Sequence, residues 1–196
     1  HSRVPSIIMI CRYCRYRPSP PSPDNRKKRY TMTASVSIVD VAAYILAREN
    51  TMVTMKLHKL AFYAQAAHLA QHASPLFPED FHAWIVGPVC PQLYHLHQGK
   101  LLIRPGELPS GNPSALTHPT LCRERALIDR VCAAMGSMTH AALSKRMYRE
   151  LPWADAYARH TSSSLSHLVH LPIVTTDEII TQDAMRNYYS KHRLVS

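Results

Sequence analysis

Glycine is scarce in this chain: there are five in 196 residues, and none falls in a GxGxxG or P-loop spacing, so no backbone cradle for a phosphate can be read. A GxSxG elbow is missing too, and Ser162, Ser163 and Ser164 read as connection rather than nucleophile. Thirteen histidines invite a metal reading, and His68 with His72 has the i, i+4 spacing that puts two imidazoles on one helical face. A metalloprotease helix would carry Glu at position 69, where this chain has Leu69, so the general base is missing. His95 and His97, two apart, point to different sides of a helix. Five cysteines, an odd number, give no disulfide framework. Cys11 and Cys14 form one CxxC with no second pair nearby, while Cys90, Cys122 and Cys132 fall singly in apolar contexts. These absences lead us to expect no catalytic residues, no metal and no cofactor, hence not an enzyme, in a reducing cytoplasm.

Long apolar runs are also lacking. The one in the basic leader, 7–10, is too short for a signal h-region, and a PSPPSP tract follows it, so neither a signal peptide nor a membrane anchor is expected. Acidic residues are few, and the formal charge is +10, which raises a nucleic-acid partner. The distribution weakens that reading: residues 1–31 hold eight Arg or Lys against the single acid Asp24, whereas residues 32–196 hold fifteen against twelve. Because Met32 stands just ahead of the first well-patterned helix, the expected organisation is a disordered or spurious extension over 1–31, with the natural start at Met32 or Met9, and one domain over 32–196.

What is present is helical patterning. A first helix begins at Ser37 with Asp40 placed as in a capping box, lines up Ile38, Val41, Ala42, Ile45 and Leu46, and ends near Asn50. After a loop over 51–53, Thr54 is the expected N-cap of a central helix over 55–72 that is apolar nearly all round and therefore buried. Two prolines end it. Phe81, Ala83 and Ile85 then alternate with His82, Trp84 and Val86 as a short strand closed by Gly87-Pro88, and Pro91 opens a short helix that stops at Gly99. Residues 101–104 are expected to pair with that strand. A proline-rich loop over 105–119 is followed by a helix capped by Thr120 and ending at Gly136, another from Thr139, a short one opened by Pro152-Trp153 and running through Tyr157, a polar connection over 161–166, and a last helix capped by Thr181. The fold class is mainly α, a compact helical domain around one buried central helix with a small β element.

Two features bear on partners. Lys56 and Lys59 lie in the first turns of the central helix, where a cation opposes the macrodipole by ~0.3–1 kcal/mol; they read as anchors for an acidic or carbonyl partner, or as solvated lysines on one wet edge. The helices over 120–149 could form a helix-turn-helix-like pair presenting Lys145, Arg146 and Arg149 to DNA, which is the alternative reading of function as a DNA-binding or regulatory module; packing alone explains such pairs too.

The segments KLHKLAFYAQAAHLA at 56–70, PLFPEDFHAWIVGPVCPQLY at 75–94 and LPWADAY at 151–157 together resemble the SocA-like, or Panacea, antitoxin domain, also met as GepA-type phage-associated proteins. The resemblance runs from about Val39 to Tyr189. Its most specific parts are a KLxKLxxY box at Lys56, Leu57, Lys59, Leu60 and Tyr63, an AWxxGPV box at Ala83, Trp84, Gly87, Pro88 and Val89, and the Pro152-Trp153 pair. His58 stands where the family often has Gln, and Met147-Tyr148 stand where a Thr-His pair commonly precedes the Pro-Trp box. The resemblance implies a compact, largely α-helical antitoxin that neutralises a cognate toxin by direct protein–protein contact in a bacterial or prophage two-gene, type II-like system. It also implies a cellular protease as a further partner if the protein acts as an adaptor; membranes and nucleic acid are not expected as partners. Read physically, the boxes suit a scaffold, with contacts to the toxin expected from Lys56, Lys59, Arg146 and Arg149 and from the 105–119 loop.

Overall fold

The computed structural model describes residues 36–163 and 176–195. The expected extension over 1–31, the Cys11–Cys14 pair and most of the 161–166 connection lie outside these residues. Helix α1, Ile38–Glu49, starts in a complete capping box: the Ser37 hydroxyl accepts from the Asp40 N–H at 3.1 Å, and the Asp40 carboxylate accepts from the Ser37 N–H at 3.1 Å. Asn50 ends it with a positive φ of 65°, its N–H donating to the Leu46 carbonyl at 2.9 Å. The stripe from Ile38 to Leu46 is buried, as its spacing requires.

Helix α2, Thr54–His72, is the axis of the fold. Every residue from Leu57 to Leu69 is buried, because α1, helix α4 (Cys122–Met135), helix α5 (His140–Met147) and helix α7 (Gln182–Tyr189) pack around it. Strand β2, Phe81–Trp84, pairs antiparallel with strand β3, Gly87–Val89, through the two-residue turn Ile85-Val86, and strand β5, Ile179–Ile180, adds to the other edge of β2. A separate ladder joins strand β1, Met52–Val53, to strand β4, Leu102–Ile103. Helix α3, Pro91–His97, carries Pro at its first position, and helix α6 spans Leu151–Ser163. The chain is therefore mainly α with a small β element.

Several local expectations are corrected. Gly87-Pro88 does not close a strand but begins the return strand of a hairpin; as an edge strand, β3 accepts a proline without losing a ladder bond. The 101–104 segment pairs with Met52–Val53 rather than with Phe81–Trp84. The start of α2 supplies the reason: its first N–H groups lack partners within the helix, and the Thr54 N–H donates to the Leu101 carbonyl at 3.0 Å. Thr54 is inside the helix rather than its cap, with its hydroxyl donating to the Lys100 carbonyl at 3.2 Å. Thr120 does not cap α4 either; a 3-10 turn, Pro119–Leu121, precedes it, and the His118 ring accepts the Thr120 N–H. Helix α6 continues past Tyr157 to Ser163, since Ala158 and Arg159 favour helix and no Gly or Pro interrupts it.

The 105–119 loop is held rather than free. Leu108 and Leu116 are buried, and the Asn112 N–H donates to Asp40 of α1 at 2.9 Å. Cys122 is exposed, unlike Cys90 and Cys132. Trp84 is buried, with its ring 4.9 Å between centroids from that of Tyr94 of α3, and its indole N–H donates to the Thr176 carbonyl at 3.1 Å.

Gly87 has φ of +119°, and a Cβ placed there would lie 2.8 Å from the Met147 methyl and 3.2 Å from the end of the Lys59 side chain. Backbone strain and overpacking add at this position, so Gly87→Ala is expected to lower stability by ~3 kcal/mol or more in urea unfolding. An unchanged unfolding midpoint would contradict this assignment.

Candidate functional site

The three sequence boxes meet in the folded chain. Lys59 is 1% exposed, and its ammonium donates to the Val86 carbonyl at 2.9 Å, in the turn just before Gly87, and more weakly to Met55 O at 3.4 Å. It also donates to Nε2 of His140, the first residue of α5, at 3.1 Å, which leaves the His140 proton on Nδ1. Burial lowers the Lys59 pKa to about 8, and burial, with Lys59 second, lowers that of His140 to about 4. Lys56 is half-buried and donates to the Gly136 carbonyl at the end of α4, where carbonyl ends concentrate negative potential. Neither lysine is merely solvated: the partners that offset their unfavourable place in the macrodipole are carbonyls of this same chain. Lys59 is thus removed from the exposed edge expected to touch a partner.

The second junction is a buried carboxylate. Oε2 of Glu150 accepts from the Tyr63 hydroxyl at 2.9 Å and from the Tyr189 hydroxyl of α7 at 2.7 Å, while Oε1 accepts from Arg146 Nε at 3.0 Å. The Arg146 guanidinium also lies over the Tyr63 ring, 5.6 Å from its centroid. Burial first, and the carboxylate second, raise both tyrosine pKa values, so both phenols stay protonated donors. The third junction is the Trp153 indole N–H, which donates to the Trp84 carbonyl at 3.0 Å. Lys59 to Val86 joins the first box to the second, Trp153 to Trp84 joins the third to the second, and Tyr63 reaches Glu150, just ahead of the third segment.

The remaining members of the boxes are core. Leu57, Leu60, Ala83 and Val89 are fully buried, and Pro88 and Pro152 are buried as well. Arg146 is partly covered and committed to Glu150; Arg149 is exposed and lies beyond the end of α5, which stops at Met147. The helix-turn-helix-like pair is therefore α4 and an α5 of eight residues, on which Lys145 is an exposed cation with no partner among the described residues.

Two further polar groups escaped the sequence reading. His58 and His97 are buried with Nε2 to Nε2 at 2.8 Å, and the Cys90 N–H donates to His58 Nδ1 at 3.3 Å. That bond fixes the tautomers: His58 donates through Nε2, His97 accepts there, and the remaining His97 proton sits on Nδ1, which has no hydrogen-bond partner among the described residues. Both rings are neutral, with the His58 pKa lowered chiefly by burial and that of His97 lowered by burial to about 4. Gln65 holds the turn after α2 through Leu76 N–H at 2.7 Å and the Phe77 carbonyl at 2.8 Å. The i, i+4 spacing of Arg146 and Glu150 was the visible hint of the carboxylate; the histidine pair, 39 residues apart, left no local sign. His68 donates through Nδ1 to the Ser74 carbonyl at 2.7 Å, and among the described residues no three His, Cys, Asp or Glu side chains gather as metal ligands. No helix among them is long and apolar enough to cross a membrane.

The domain is mainly helical, and its sequence boxes interlock inside the fold. Residues 57–154 match the model of the family described as antitoxin SocA-like, Panacea domain, and the chain belongs to that family. No curated protein and no solved structure matches the chain.

Two outcomes follow from these contacts. Glu150→Ala strands two buried hydroxyls and the Arg146 guanidinium, and should cost ~3 kcal/mol or more in urea unfolding, against ~1 kcal/mol for Tyr189→Phe. On the acid side, His58, His97 and His140 bind protons in the unfolded chain near pH 6.5 but resist them when folded, so stability is complete above that pH and falls as pH drops toward about 4. His58→Gln keeps an acceptor for Cys90 and a donor for His97, and should flatten the decline by up to one proton, ~1.4 kcal/mol per pH unit. An unaltered slope in melts from pH 7 to 4 would refute the buried neutral pair.

Proposed function

We propose that this protein is the antitoxin of a two-gene, type II-like toxin–antitoxin pair in a bacterial or prophage genome, acting in the cytoplasm by direct protein–protein binding of its toxin. The observation that carries this reading is the family match over 57–154. The interior supports it: the residues that define the family boxes are engaged with one another, so the boxes maintain the domain while exposed side chains meet the partner. No catalytic step is part of the reading. Helix α5, at eight residues and with Arg146 tied to Glu150, offers a recognition helix little to read a base with, so the DNA-binding alternative gains no support from it.

The test is genetic and then biochemical. The gene adjacent to this one should encode a small protein that stops growth when expressed alone and is harmless when co-expressed with this chain. The two should co-purify in a complex that survives high salt, as a partly apolar interface does and a phosphate-based one does not. A harmless neighbour with no complex would overturn the reading.

A further inference from the structure

Large apolar side chains are exposed at three places among the described residues: Leu101 and Leu102, 67% and 52% exposed, at β4; Ile179 on β5; and Tyr148 and Leu151, 41% and 54% exposed, where α5 passes into α6. Their charged neighbours separate them. Beside β4, Lys100 and Arg104 both face Glu107, at 3.4 and 3.9 Å. Beside Ile179, Arg159 is paired with Glu178 at 2.6 Å and also donates to the Ile179 carbonyl. At those two places each of these cations has an acidic partner. At the α5–α6 corner, Glu150 neutralises Arg146, but Lys145 and Arg149 are exposed and have no acidic partner among the described residues. The exposed carboxylate nearest in sequence, Asp155, comes one helical turn beyond Leu151 and bounds the patch.

The corner is also stiff. The Tyr148 hydroxyl donates to the Ile85 carbonyl at 2.9 Å, its ring lies 4.7 Å from that of Trp153, and Trp153 stacks on Tyr157 at 4.9 Å. Glu150, between the exposed residues in sequence, is pinned by Tyr63 and Tyr189. A half-exposed aromatic held by its neighbours gives contact area with little ordering cost, which is how anchors at protein interfaces work.

We propose that the α5–α6 corner, formed by Lys145, Tyr148, Arg149 and Leu151, is the surface that docks an acidic, apolar-anchored segment of the partner protein. The unpaired cations set the sign of the partner's charge, and Tyr148 with Leu151 sets its apolar character. The assignment rests on the antitoxin reading above and adds where the toxin binds and what chemistry it presents there.

The test uses the full chain and the product of the adjacent gene. Lys145→Glu/Arg149→Glu and Leu151→Asp are compared with wild type and with Leu101→Asp/Leu102→Asp as the control at β4, each checked by urea unfolding. Both corner variants should weaken the complex at least tenfold with an unchanged midpoint, and the charge variant should lose the salt dependence of association; the β4 control should bind as wild type. Where a midpoint falls, Lys145→Ala/Arg149→Ala replaces the harsher variant. Corner variants that bind like wild type, or loss of binding confined to the β4 control, overturn the proposal. So does a charge variant that loses duplex DNA while keeping the protein partner. If wild type itself fails to bind the neighbour's product, it is the antitoxin reading that falls, and a wild-type complex indifferent to the corner sinks the surface alone.

Discussion

A lysine ammonium buried in the middle of a helical domain has to be given oxygens, and the organisation of this protein turns on how Lys59 obtains them. The Val86 carbonyl comes within 2.9 Å because Gly87, the next residue, has no Cβ to stand between the strand and the lysine chain. The hairpin is thereby fixed against α2 at one point, and its turn faces Met147 of α5. An ion left without these bonds would cost several kcal/mol, a large part of the net stability of a domain. One polar contact so constrains two elements that share no other sequence feature.

This contact gives a physical account of why KLxKLxxY and AWxxGPV occur together. The second lysine of the first box needs the carbonyl that precedes the glycine of the second, and the tyrosine of the first needs the acid that precedes the Pro-Trp pair. The Trp153 indole returns to the Trp84 carbonyl, so each box satisfies a polar group in another. A domain whose boxes are consumed in this way can keep its architecture while its outer side chains vary.

Much of this architecture was legible beforehand, for local reasons. Helices α1 and α2 follow from the capping pair Ser37 and Asp40 and from apolar spacing, and α5 and α7 from their threonine caps. Strands β1, β4 and β5 have two residues each, too few to show alternation, and their pairings join segments far apart in sequence. Lys59 reads from the sequence as a partner anchor or a solvated lysine because lysines are almost never fully buried without a partner, and its partner here is a backbone carbonyl that no side-chain pattern announces. Glu150 has one partner four residues away and others 39 and 87 away, so only the first could be seen. The 105–119 segment reads only as a loop because its prolines suppress periodicity, yet two leucines are enough to hold it to the core.

The same long spans set an order in which the chain can be assembled. The bond from Lys59 to Val86 closes over 27 residues, that from Trp84 to Trp153 over 69, and that from Tyr63 to Glu150 over 87. On a ribosome the first can form while the C-terminal half is still being made, whereas the other two must wait for the Glu150 to Trp153 segment to emerge. Until then α2 lacks the covering of α5, and that of α7 comes later still. A nascent chain of this protein therefore passes through an interval with its central helix covered only by α1 and α4, and completion of the fold is gated by the last third of translation.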